Sequence, residues 1–501
     1  MPLQRSPSMK LGVSAASFSL LLALTTSSCG RSGAPQPKRP NLLLISVDSL
    51  RRDHVGPYGY RPEFAGEEGT TPAIARLASE GVLFEDAKST TCWTLPAHMS
   101  LMTGMPSALH GVTDNRKQLD PAITTLAEAL RAKGYATAGF YSGPNLHPAF
   151  GFGAGFTTYQ NCSGKEMPQA AFEEAISGGD SSELVSLHHD SHSGLSSQTL
   201  LSESRAWLEN AADEEEPFFL FVHWWDPHYD YTPPAALGRK FDPGYVGEQT
   251  GTDFLDVRSV PKDRDLAHIL ALYDAEIRYT DDHIGQLLES LEKLELAEDT
   301  LVIFTADHGD EFFEHGYRGH QRTLYEEAIQ IPLVMRLPGS LPAGKRAAGN
   351  ASLQDVFATA ADLLDIPAPD YGMGQSLRPL WERGDDGRTH YSELDLPHRD
   401  LQLSAIQSGD MKLIWDHTKD LGEVFDLRAD PLEQNPISVS GLFSRDQTDA
   451  LELGLLRTEL ARQERARKNI PRTPGFSGEH KLSDELAEEL ASFGYLEGGG
   501  E

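Results

Sequence analysis

The chain has 501 residues, of which 39% are hydrophobic and 24% are charged, and its formal net charge is −32 at pH 7. This composition is that of a globular protein with a large core, and it excludes a fibrous or low-complexity chain. The negative charge argues against nucleic acid as a partner, because binding to a phosphate backbone requires Lys and Arg side chains that displace counterions.

The N-terminal segment has the pattern of an export signal. Basic residues precede an apolar stretch over residues 11–24, and small polar residues then lead to Cys29. An apolar core of this length is typical of a signal peptide and is short for a membrane span. The residues before Cys29 resemble the lipidation site of a bacterial lipoprotein, with a plain cleaved signal as the alternative. We therefore expect an exported bacterial protein, periplasmic or anchored to the outer membrane, with a signal over 1–29 and a tether over 30–39.

Strand and helix patterns then alternate along the chain. Continuous apolar runs predict buried strands at residues 41–47, 135–141, 217–223, 300–306 and 331–335. Periodic patterns between them predict helices at residues 71–80, 121–133, 199–212 and 264–295. This alternation is typical of an α/β fold with a mainly parallel central sheet and helices on both of its faces.

Two regions depart from this alternation. A polar insertion at 177–198 contains three histidines that fit a solvated loop better than a metal site, His188, His189 and His192. From residue 400 the pattern changes to short strands near 402–407, 411–415 and 423–427, and then to helices at 446–468 and 483–496. We therefore predict a catalytic domain over 40–399 and a small antiparallel α+β subdomain with a tail over 400–501.

Two cysteines follow Cys29, and they are Cys92 and Cys162. An oxidising compartment would permit one disulfide between them. Two separate buried thiols are equally consistent with the sequence, so both alternatives stay open.

Polar residues follow several of the predicted strands directly. Asp48 follows the first strand, His228 the third, and Asp307 with His308 the fourth. Because ligand sites of α/β sheets lie beyond the carboxyl ends of the strands, we expect these side chains to share one cleft. Two carboxylates, an imidazole and the hydroxyl of Thr94 form a ligand set for a divalent cation. Such a cation would activate this otherwise weak nucleophile, and the start of the helical stretch after it can hold an anion.

Three short segments carry these residues, and their order and spacing are informative. They start at Asp48, Thr94 and Asp307 and read DSLRRDH, TLPAHMSLMTG and DHGDE. Together they closely resemble the sulfatase family of the alkaline phosphatase superfamily, over roughly residues 40–435. The resemblance implies the fold of that superfamily and hydrolysis of sulfuric or phosphoric esters. It also implies a metal site of four residues, Asp48, Thr94, Asp307 and His308.

The sequence departs from this family at the nucleophile. Typical members carry Cys-x-Pro-x-Arg, whose Cys is oxidised to formylglycine, but here Thr94 stands at the Cys position and His98 at the Arg position. Cys92 is out of register with Pro96, so we do not expect formylglycine. The family's Lys-x-His pair is also missing, since residues 140–143 read FYSG.

The resemblance suggests further catalytic groups. His228 matches a family histidine that touches the transferring group, and His320 lies where related transferases also place a histidine. We predict that they protonate the leaving group or bind a second metal, with Asp226 as a third candidate ligand for it. Three other polar residues of the motifs are assigned mainly to local structure, and they are Arg51, His98 and His110.

These patterns predict a metal-dependent ester hydrolase with Thr94 as nucleophile. The Asp-His pair favours zinc or manganese over calcium, which remains an alternative. Superfamily members that use Thr act on phosphate esters, so phosphate mono- or diesters are favoured over sulfates, on a small-molecule, glycan or lipid alcohol. A phosphodiesterase, a phosphoethanolamine-type phosphotransferase and a non-catalytic binding protein of the same fold are the alternatives. We expect membrane contact only through the lipid anchor at Cys29.

Overall fold

The computed structural model describes residues 39–490, except for 64–65, 67–68, 164–195, 213, 253, 255–256, 258–259, 443–450, 485 and 488–489. The predicted signal with Cys29, most of the tether, and the histidines of the polar insertion therefore lie outside the described residues. In the part of the chain that is described, no helix combines the length and the apolar character needed to cross a bilayer.

Strands and helices alternate through most of the described chain. The strands are β1 Asn41–Val47, β2 Val82–Lys88, β3 Ala136–Tyr141, β4 Thr158–Asn161, β5 Phe218–Trp224, β6 Thr300–Ala306, β7 Glu311–Phe312, β8 Arg318–Gly319, β9 Gln330–Ile331, β10 Leu333–Arg336, β11 Lys345–Ser352, β12 Thr389–Leu396, β13 Leu401–Ser408, β14 Met411–Asp416, β15 Leu421–Asp426 and β16 Ile437–Ser440. The α-helices are α1 Pro72–Glu80, α2 Thr94–Thr103, α3 Ser107–His110, α4 Leu126–Ala132, α5 Ser197–Ala211, α6 Ala235–Phe241, α7 Asp263–Lys293, α8 Glu326–Ile329, α9 Asp355–Leu364, α10 Arg378–Glu382 and α11 Leu451–Arg467.

The central sheet has the strand order β11-β2-β10-β6-β1-β5-β3-β4. Five strand pairs are parallel, whereas β10 is antiparallel to both of its neighbours and the short β9 pairs antiparallel with β2. Every residue of β1, β5 and β6 is buried, which explains their continuous apolar sequences. The predicted α/β fold with a mainly parallel sheet is confirmed.

The register of the three middle strands positions the site. Val47 at the end of β1 is paired with Ala306 of β6 and with Trp224 of β5. Because these strands run parallel, the residues that follow them emerge at the same edge of the sheet. Asp48 and Asp307 therefore leave the sheet side by side.

The sequence patterns do not predict β2 and β11, and buried charge explains the first omission. β2 reads VLFEDAK, and its Lys88 is completely buried, where it pairs with Asp86 and lies 3.3 Å from Glu326. An ion pair inside the protein makes a buried strand look polar in sequence.

A second sheet follows in the chain. In the described residues it has five antiparallel strands in the order β12-β13-β14-β15-β16, with α11 packed on β13 and β14. This agrees with the predicted small antiparallel unit. β12 begins at Thr389, however, so the expected boundary at residue 400 falls between the first two strands of this sheet. The sequence of β12, THYSELDL, hides the strand because several of its polar side chains are buried, and two of them, His390 and Ser392, bond to the carbonyl of Ser89.

Candidate metal centre

The four residues expected to bind metal converge at the carboxyl ends of β1 and β6. The Thr94 Oγ1 atom lies 3.4 Å from Oδ2 of Asp48 and 3.3 Å from Nε2 of His308. The same Nε2 lies 3.7 Å from Oδ1 of Asp48 and 3.3 Å from Oδ2 of Asp307. All four side chains are fully buried. Ligand atoms that are each about 2.0–2.2 Å from one ion are separated from one another by roughly 3 to 4 Å, so these spacings suit a small cation.

Hydrogen bonds orient these side chains towards a common centre. His308 Nδ1 donates to the carbonyl of Gly309 at 3.0 Å, so Nε2 is the ring nitrogen that faces the centre and can bind a cation. Oδ1 of Asp307 accepts from the backbone N–H of Ser49 at 3.1 Å and from that of His308 at 2.9 Å. Ser49 has the left-handed φ of 54°, an uncommon conformation for a non-glycine residue, and its hydroxyl donates to Asp48 at 2.9 Å.

The electrostatics of the centre favour a bound cation. Burial is the largest cause that raises the pKa of Asp48 and of Asp307, to about 7 in each case, and the neighbouring Asp48 raises that of Asp307 further. Oδ2 of Asp307 is buried and has no hydrogen-bond partner. Since buried carboxylates are normally paired or bound to metal, the donor set fits a divalent ion.

Thr94 also begins a helix. It is the first residue of α2, all of whose residues are buried, and Trp93 precedes it in an extended conformation. The N–H groups of a first helical turn have no acceptors within the helix, and they are directed out of its N-terminus. An anionic sulfuryl or phosphoryl group next to Thr94 can therefore accept hydrogen bonds from this end of α2.

Two buried histidines that the sequence did not place in the site lie beside it. His98 Nδ1 is 3.0 Å from the carbonyl of Thr94 and 3.5 Å from Oδ2 of Asp307, so His98 has more than the local role expected for it. His223 Nε2 is 3.4 Å from Oδ2 of Asp48. Burial lowers the pKa of His98 to about 3 and that of His223 to about 4, so both rings are neutral at pH 7. The sequence did contain one indication that His223 belongs to the site, since it is a polar residue near the end of an apolar strand.

His320 lies on the other side of His308. The centroids of the two rings are 4.6 Å apart, and His320 Nδ1 is 2.8 Å from Oδ1 of Asp310. The second oxygen of Asp310 accepts from the Tyr231 hydroxyl at 2.8 Å. Burial is the main cause that lowers the pKa of His320, and the positive charge of Arg399 lowers it further. The sequence patterns assign no role to Asp310 or Arg399. Asp310 stands inside the DHGDE segment, where only the first two residues are predicted as ligands. Arg399 lies in the turn between β12 and β13, far along the chain from the motifs.

His228 borders the same space, but Asp226 does not. The His228 ring stacks on Trp225 at 3.9 Å and lies 5.2 Å from the ring of His320. Both oxygens of Asp226 instead accept from the start of α5, including the N–H of Ser197 at 3.1 Å and its hydroxyl at 2.5 Å. Asp226 therefore orders that helix, and it is not positioned as a ligand of a second metal.

The two remaining cysteines are separate buried thiols. Cys92 and Cys162 are both free, which decides between the two alternatives left open by the sequence. Burial raises the pKa of the Cys92 thiol to about 12. Such a thiol is a poor nucleophile and a poor metal ligand, because both roles require the thiolate.

Among the described residues, three overlapping groups of side chains could hold a metal. They are Asp48 with Asp307 and His308, His308 with Asp310 and His320, and His98 with His223 and Asp307. Within each group the ligand atoms lie within 4.8 Å of one another. The groups share Asp307 or His308, so they form one continuous cluster.

Comparison with known proteins places these segments in context. The family model described as Sulfatase matches residues 40–366, and the one described as N-sulphoglucosamine sulphohydrolase, C-terminal, matches 313–456. The N-acetylglucosamine-6-O-sulfatase of Bacteroides thetaiotaomicron is 24% identical, over 86% of this chain and 88% of its own length. The choline-sulfatase of Rhizobium meliloti is 26% identical, over 79% of this chain and 81% of its own. The crystal structure of the phosphonate monoester hydrolase of Agrobacterium radiobacter has a TM-score of 0.67 and 23% identity, over 85% of this chain and 96% of that one.

Proposed function

We propose, on the premise that this chain belongs to the sulfatase family of ester hydrolases, that it cleaves its ester with Thr94 as nucleophile beside a bound divalent cation. The observation that carries the proposal is the position of the Thr94 hydroxyl, 3.4 Å from Asp48 and 3.3 Å from His308. A hydroxyl at the start of a buried helix, between a carboxylate and an imidazole, is placed both to bind the cation and to attack an anion held by the helix N-terminus.

The donor set indicates the class of cation. Asp48, Asp307, His308 and Thr94 would hold it, and the imidazole favours zinc or manganese over calcium, which prefers oxygen ligands. When bound, such an ion would lower the pKa of the Thr94 hydroxyl and offset the charge of an anionic ester.

The reaction then has two halves. In the first, the Thr94 hydroxyl loses its proton as Oγ1 attacks the phosphorus or sulfur atom, the bond from that atom to the ester oxygen breaks, and the leaving oxygen takes up that proton as the alcohol departs. In the second, water attacks the same atom, its bond to Oγ1 breaks, and the Thr94 hydroxyl is restored as phosphate or sulfate leaves. The N–H groups of Thr94 and Leu95 at the start of α2 stabilise the charge on the transferred group in both halves.

We assign the proton transfers to His320. Its Nδ1 donates to Asp310 at 2.8 Å, and its Nε2 lies 3.4 Å from the Tyr229 hydroxyl. A buried carboxylate that accepts from one ring nitrogen fixes the orientation and the tautomer of an imidazole. Because burial lowers its pKa, His320 starts neutral and relays protons. In the first half it accepts the proton of the Thr94 hydroxyl and passes it to the leaving oxygen, and in the second it accepts a proton from water and returns it to Oγ1 of Thr94. His228, whose ring lies 5.2 Å from that of His320, borders the leaving-group side.

The nucleophile bears on the substrate class. The similar proteins named above include two sulfatases and a phosphonate monoester hydrolase. A threonine ester must be hydrolysed at phosphorus or sulfur, whereas a formylglycine hydrate expels sulfate by breaking its own C–O bond. We therefore propose phosphate mono- or diesters before sulfates, on a small-molecule, glycan or lipid alcohol.

The residues beside the site also differ from those of typical sulfatases. The Lys-x-His pair is absent, and Gly143 stands there with a φ of +85°. A Cβ on Gly143 would come within 2.1 Å of the Trp225 indole, which itself stacks on His228. This aromatic pair leaves no room for a long basic side chain at position 143. We propose that Arg399 supplies the positive charge on this side of the site.

The test is a comparison of Thr94→Ala with Cys92→Ala, using aryl phosphate, aryl phosphodiester and aryl sulfate substrates with added zinc, manganese or calcium. Thr94→Ala removes the nucleophile and a metal ligand, so we expect kcat/KM to fall by several orders of magnitude. Thr94→Ser should retain measurable turnover because it keeps the hydroxyl. Cys92→Ala should keep most of the wild-type activity.

Two outcomes would contradict the proposal. An inactive Cys92→Ala together with an aldehyde found at position 92 by mass spectrometry would indicate a formylglycine enzyme. Full activity of Thr94→Ala would exclude threonine as nucleophile. Wild-type protein that binds the substrates but turns none of them over would instead support a non-catalytic binding protein, and transfer of phosphate to an added alcohol would support a phosphotransferase.

A further inference from the structure

His223 presents a ring nitrogen without a hydrogen-bond partner to the centre of the site. The residue lies one position before the end of β5, and its side chain is completely buried. Its Nε2 atom has no hydrogen-bond partner and lies 3.4 Å from Oδ2 of Asp48. A buried polar atom without a partner is rare and costly, so its position requires an explanation.

The opposite nitrogen determines the tautomer of His223. Nδ1 lies 3.0 Å from the backbone carbonyl oxygen of Ser142, and a carbonyl can only accept a hydrogen bond. Nδ1 therefore carries the proton, and Nε2 of the neutral ring carries a lone pair. That lone pair faces a carboxylate oxygen of Asp48, which is also electron-rich.

A second partnerless atom points into the same space. Oδ2 of Asp307 is buried without a hydrogen-bond partner, and one ligand atom of Asp307 lies within 4.8 Å of one of His223, in a group that also includes His98. A proton shared between His223 and Asp48 would satisfy one of these atoms only. One cation between them satisfies both, because lone pairs of an imidazole and of two carboxylates then all face positive charge.

His98 does not offer a comparable lone pair. Its Nδ1 lies 3.0 Å from the carbonyl of Thr94, so this nitrogen donates, and its Nε2 lies 2.9 Å from the Ser46 hydroxyl, which can donate to it. Both ring nitrogens of His98 are therefore engaged with the protein. Of His98 and His223, only His223 therefore has a nitrogen available to a cation. This favours one ion with an added ligand over two ions.

We infer that Nε2 of His223 is an additional ligand of the ion bound by Asp48, Thr94, Asp307 and His308. The inference rests on the metal centre proposed above and extends its donor set to two imidazoles, two carboxylates and one hydroxyl. Two nitrogen donors favour zinc, manganese or cobalt over calcium, which is held almost entirely by oxygen ligands. His223 and His308 come from β5 and from the segment after β6, so the ion also joins the two strands on either side of β1.

The experiment compares two substitutions of His223 that separate its nitrogens. The His223→Asn amide places an N–H near the position of Nδ1, so it can still donate to the Ser142 carbonyl, but it has no atom at the position of Nε2. The His223→Gln amide reaches the position of Nε2 and can supply an oxygen there. His110→Ala is the matched control, because His110 is equally buried and bonds to Ser100 and Val112 away from the cluster.

Three readouts other than activity are measured on the full-length proteins. They are metal content per chain after loading with zinc, zinc affinity by chelator competition, and the number of imidazole ligands from zinc X-ray absorption. Wild type and His110→Ala should bind one zinc with two imidazoles. His223→Asn should show one imidazole and bind zinc at least tenfold more weakly, since even outer-shell changes cost 10–100-fold. His223→Gln should also show one imidazole, with a smaller loss of zinc affinity and an increased preference for calcium.

The outcomes distinguish this inference from the function on which it depends. Wild-type protein that binds no stoichiometric metal would overturn the proposed metal centre itself. Wild type that binds one ion while His223→Asn keeps two imidazoles and unchanged affinity would overturn only the role of His223. Two zinc ions per wild-type chain would overturn the single-ion assignment. Thermal unfolding of His223→Asn at the temperature of the His110→Ala control would exclude misfolding as the cause of any loss.

Discussion

Single histidine residues of this protein differ in protonation because their ring nitrogens meet different partners. His223 has Nδ1 on the backbone carbonyl of Ser142, and burial lowers its pKa to about 4, so the neutral ring keeps a lone pair on Nε2. His315 differs, since Nδ1 lies 2.6 Å from the Glu327 carboxylate and Nε2 lies 3.1 Å from the carbonyl of Glu433. Glu327 and this carbonyl both accept, and with its pKa raised to about 9 His315 holds two protons and a positive charge at pH 7.

The charge of His315 makes stability depend on pH. Burial lowers the pKa of His315, but hydrogen bonding to Glu327 outweighs this and raises it to about 9. A folded-state pKa above the unfolded value near 6.5 contributes stability that is full below pH 6.5 and is lost as the pH rises through 9. His315→Gln should lack this pH dependence. The difference in the free energy of unfolding between wild type and the variant should therefore shrink by about 1 kcal/mol between pH 6.5 and 9, after allowance for solvent screening.

Urea denaturation of both proteins at several pH values measures this difference. Glu327→Gln removes the negative charge but leaves a side chain of similar size beside His315. This variant should also lack the pH dependence. A difference between wild type and His315→Gln that is constant from pH 6 to 9 would contradict the charge assigned to His315.

At the scale of elements, buried charges join the second sheet to the catalytic region. Lys412 of β14 is 1% exposed, and its Nζ lies 2.8 Å from a carboxylate oxygen of Glu326 and 2.8 Å from one of Glu433. Glu326 begins α8 and also lies 3.3 Å from Lys88 of β2. The cluster thus connects an inner strand of each sheet through one short helix.

Removing Lys412 should therefore cost far more than removing an exposed lysine. We expect Lys412→Ala to lower the free energy of unfolding by about 3–5 kcal/mol, because two buried carboxylates lose their partner. Lys419, whose side chain is 69% exposed in its pair with Asp416, is the control. Lys419→Ala should change the free energy of unfolding by less than about 1 kcal/mol. Equal effects of the two substitutions in urea denaturation would contradict a role for buried charge in joining the sheets.

For the whole molecule, the net charge of −32 opposes the approach of an anionic ester. The site must therefore reverse the field locally. The N-terminus of α2, the cation proposed for the Asp and His side chains, and Arg399 would all place positive charge there. This arrangement suits an ester with one small anionic group better than a polyanion bound over a broad surface.

Export with lipidation at Cys29 is a proposal at this same scale, since it concerns where the whole protein resides. Its basis is the apolar stretch over residues 11–24 and the small residues before Cys29. Labelling of expressing cells with a fatty acid should mark the wild-type protein and the Cys92→Ala control, but not Cys29→Ala. Equal labelling of Cys29→Ala and wild type, or recovery of the wild type from the cytoplasm, would contradict the proposal.

Local patterns in the sequence were sufficient to predict much of this protein. The apolar runs identified β1, β5 and β6 because strands buried on both faces cannot alternate, and parallel pairing then brought Asp48 and Asp307 together. The same patterns missed β2 and β12, whose polar side chains are buried by partners far along the chain, such as Lys88 with Glu326. Burial of a charge depends on its partner, and no local pattern records that partner.

The fold class, the family and the grouping of Asp48, Thr94, Asp307 and His308 thus followed from the sequence by itself. Only the tertiary structure decided which neighbours complete the site. Asp226 turns towards α5 although it follows a strand end, whereas His223 turns inwards from the end of an otherwise apolar strand. The physical reason is that a polar side chain takes the direction in which it finds a hydrogen-bond partner or a ligand. For His223 that partner is the carbonyl of Ser142, which lies 81 residues away in the chain.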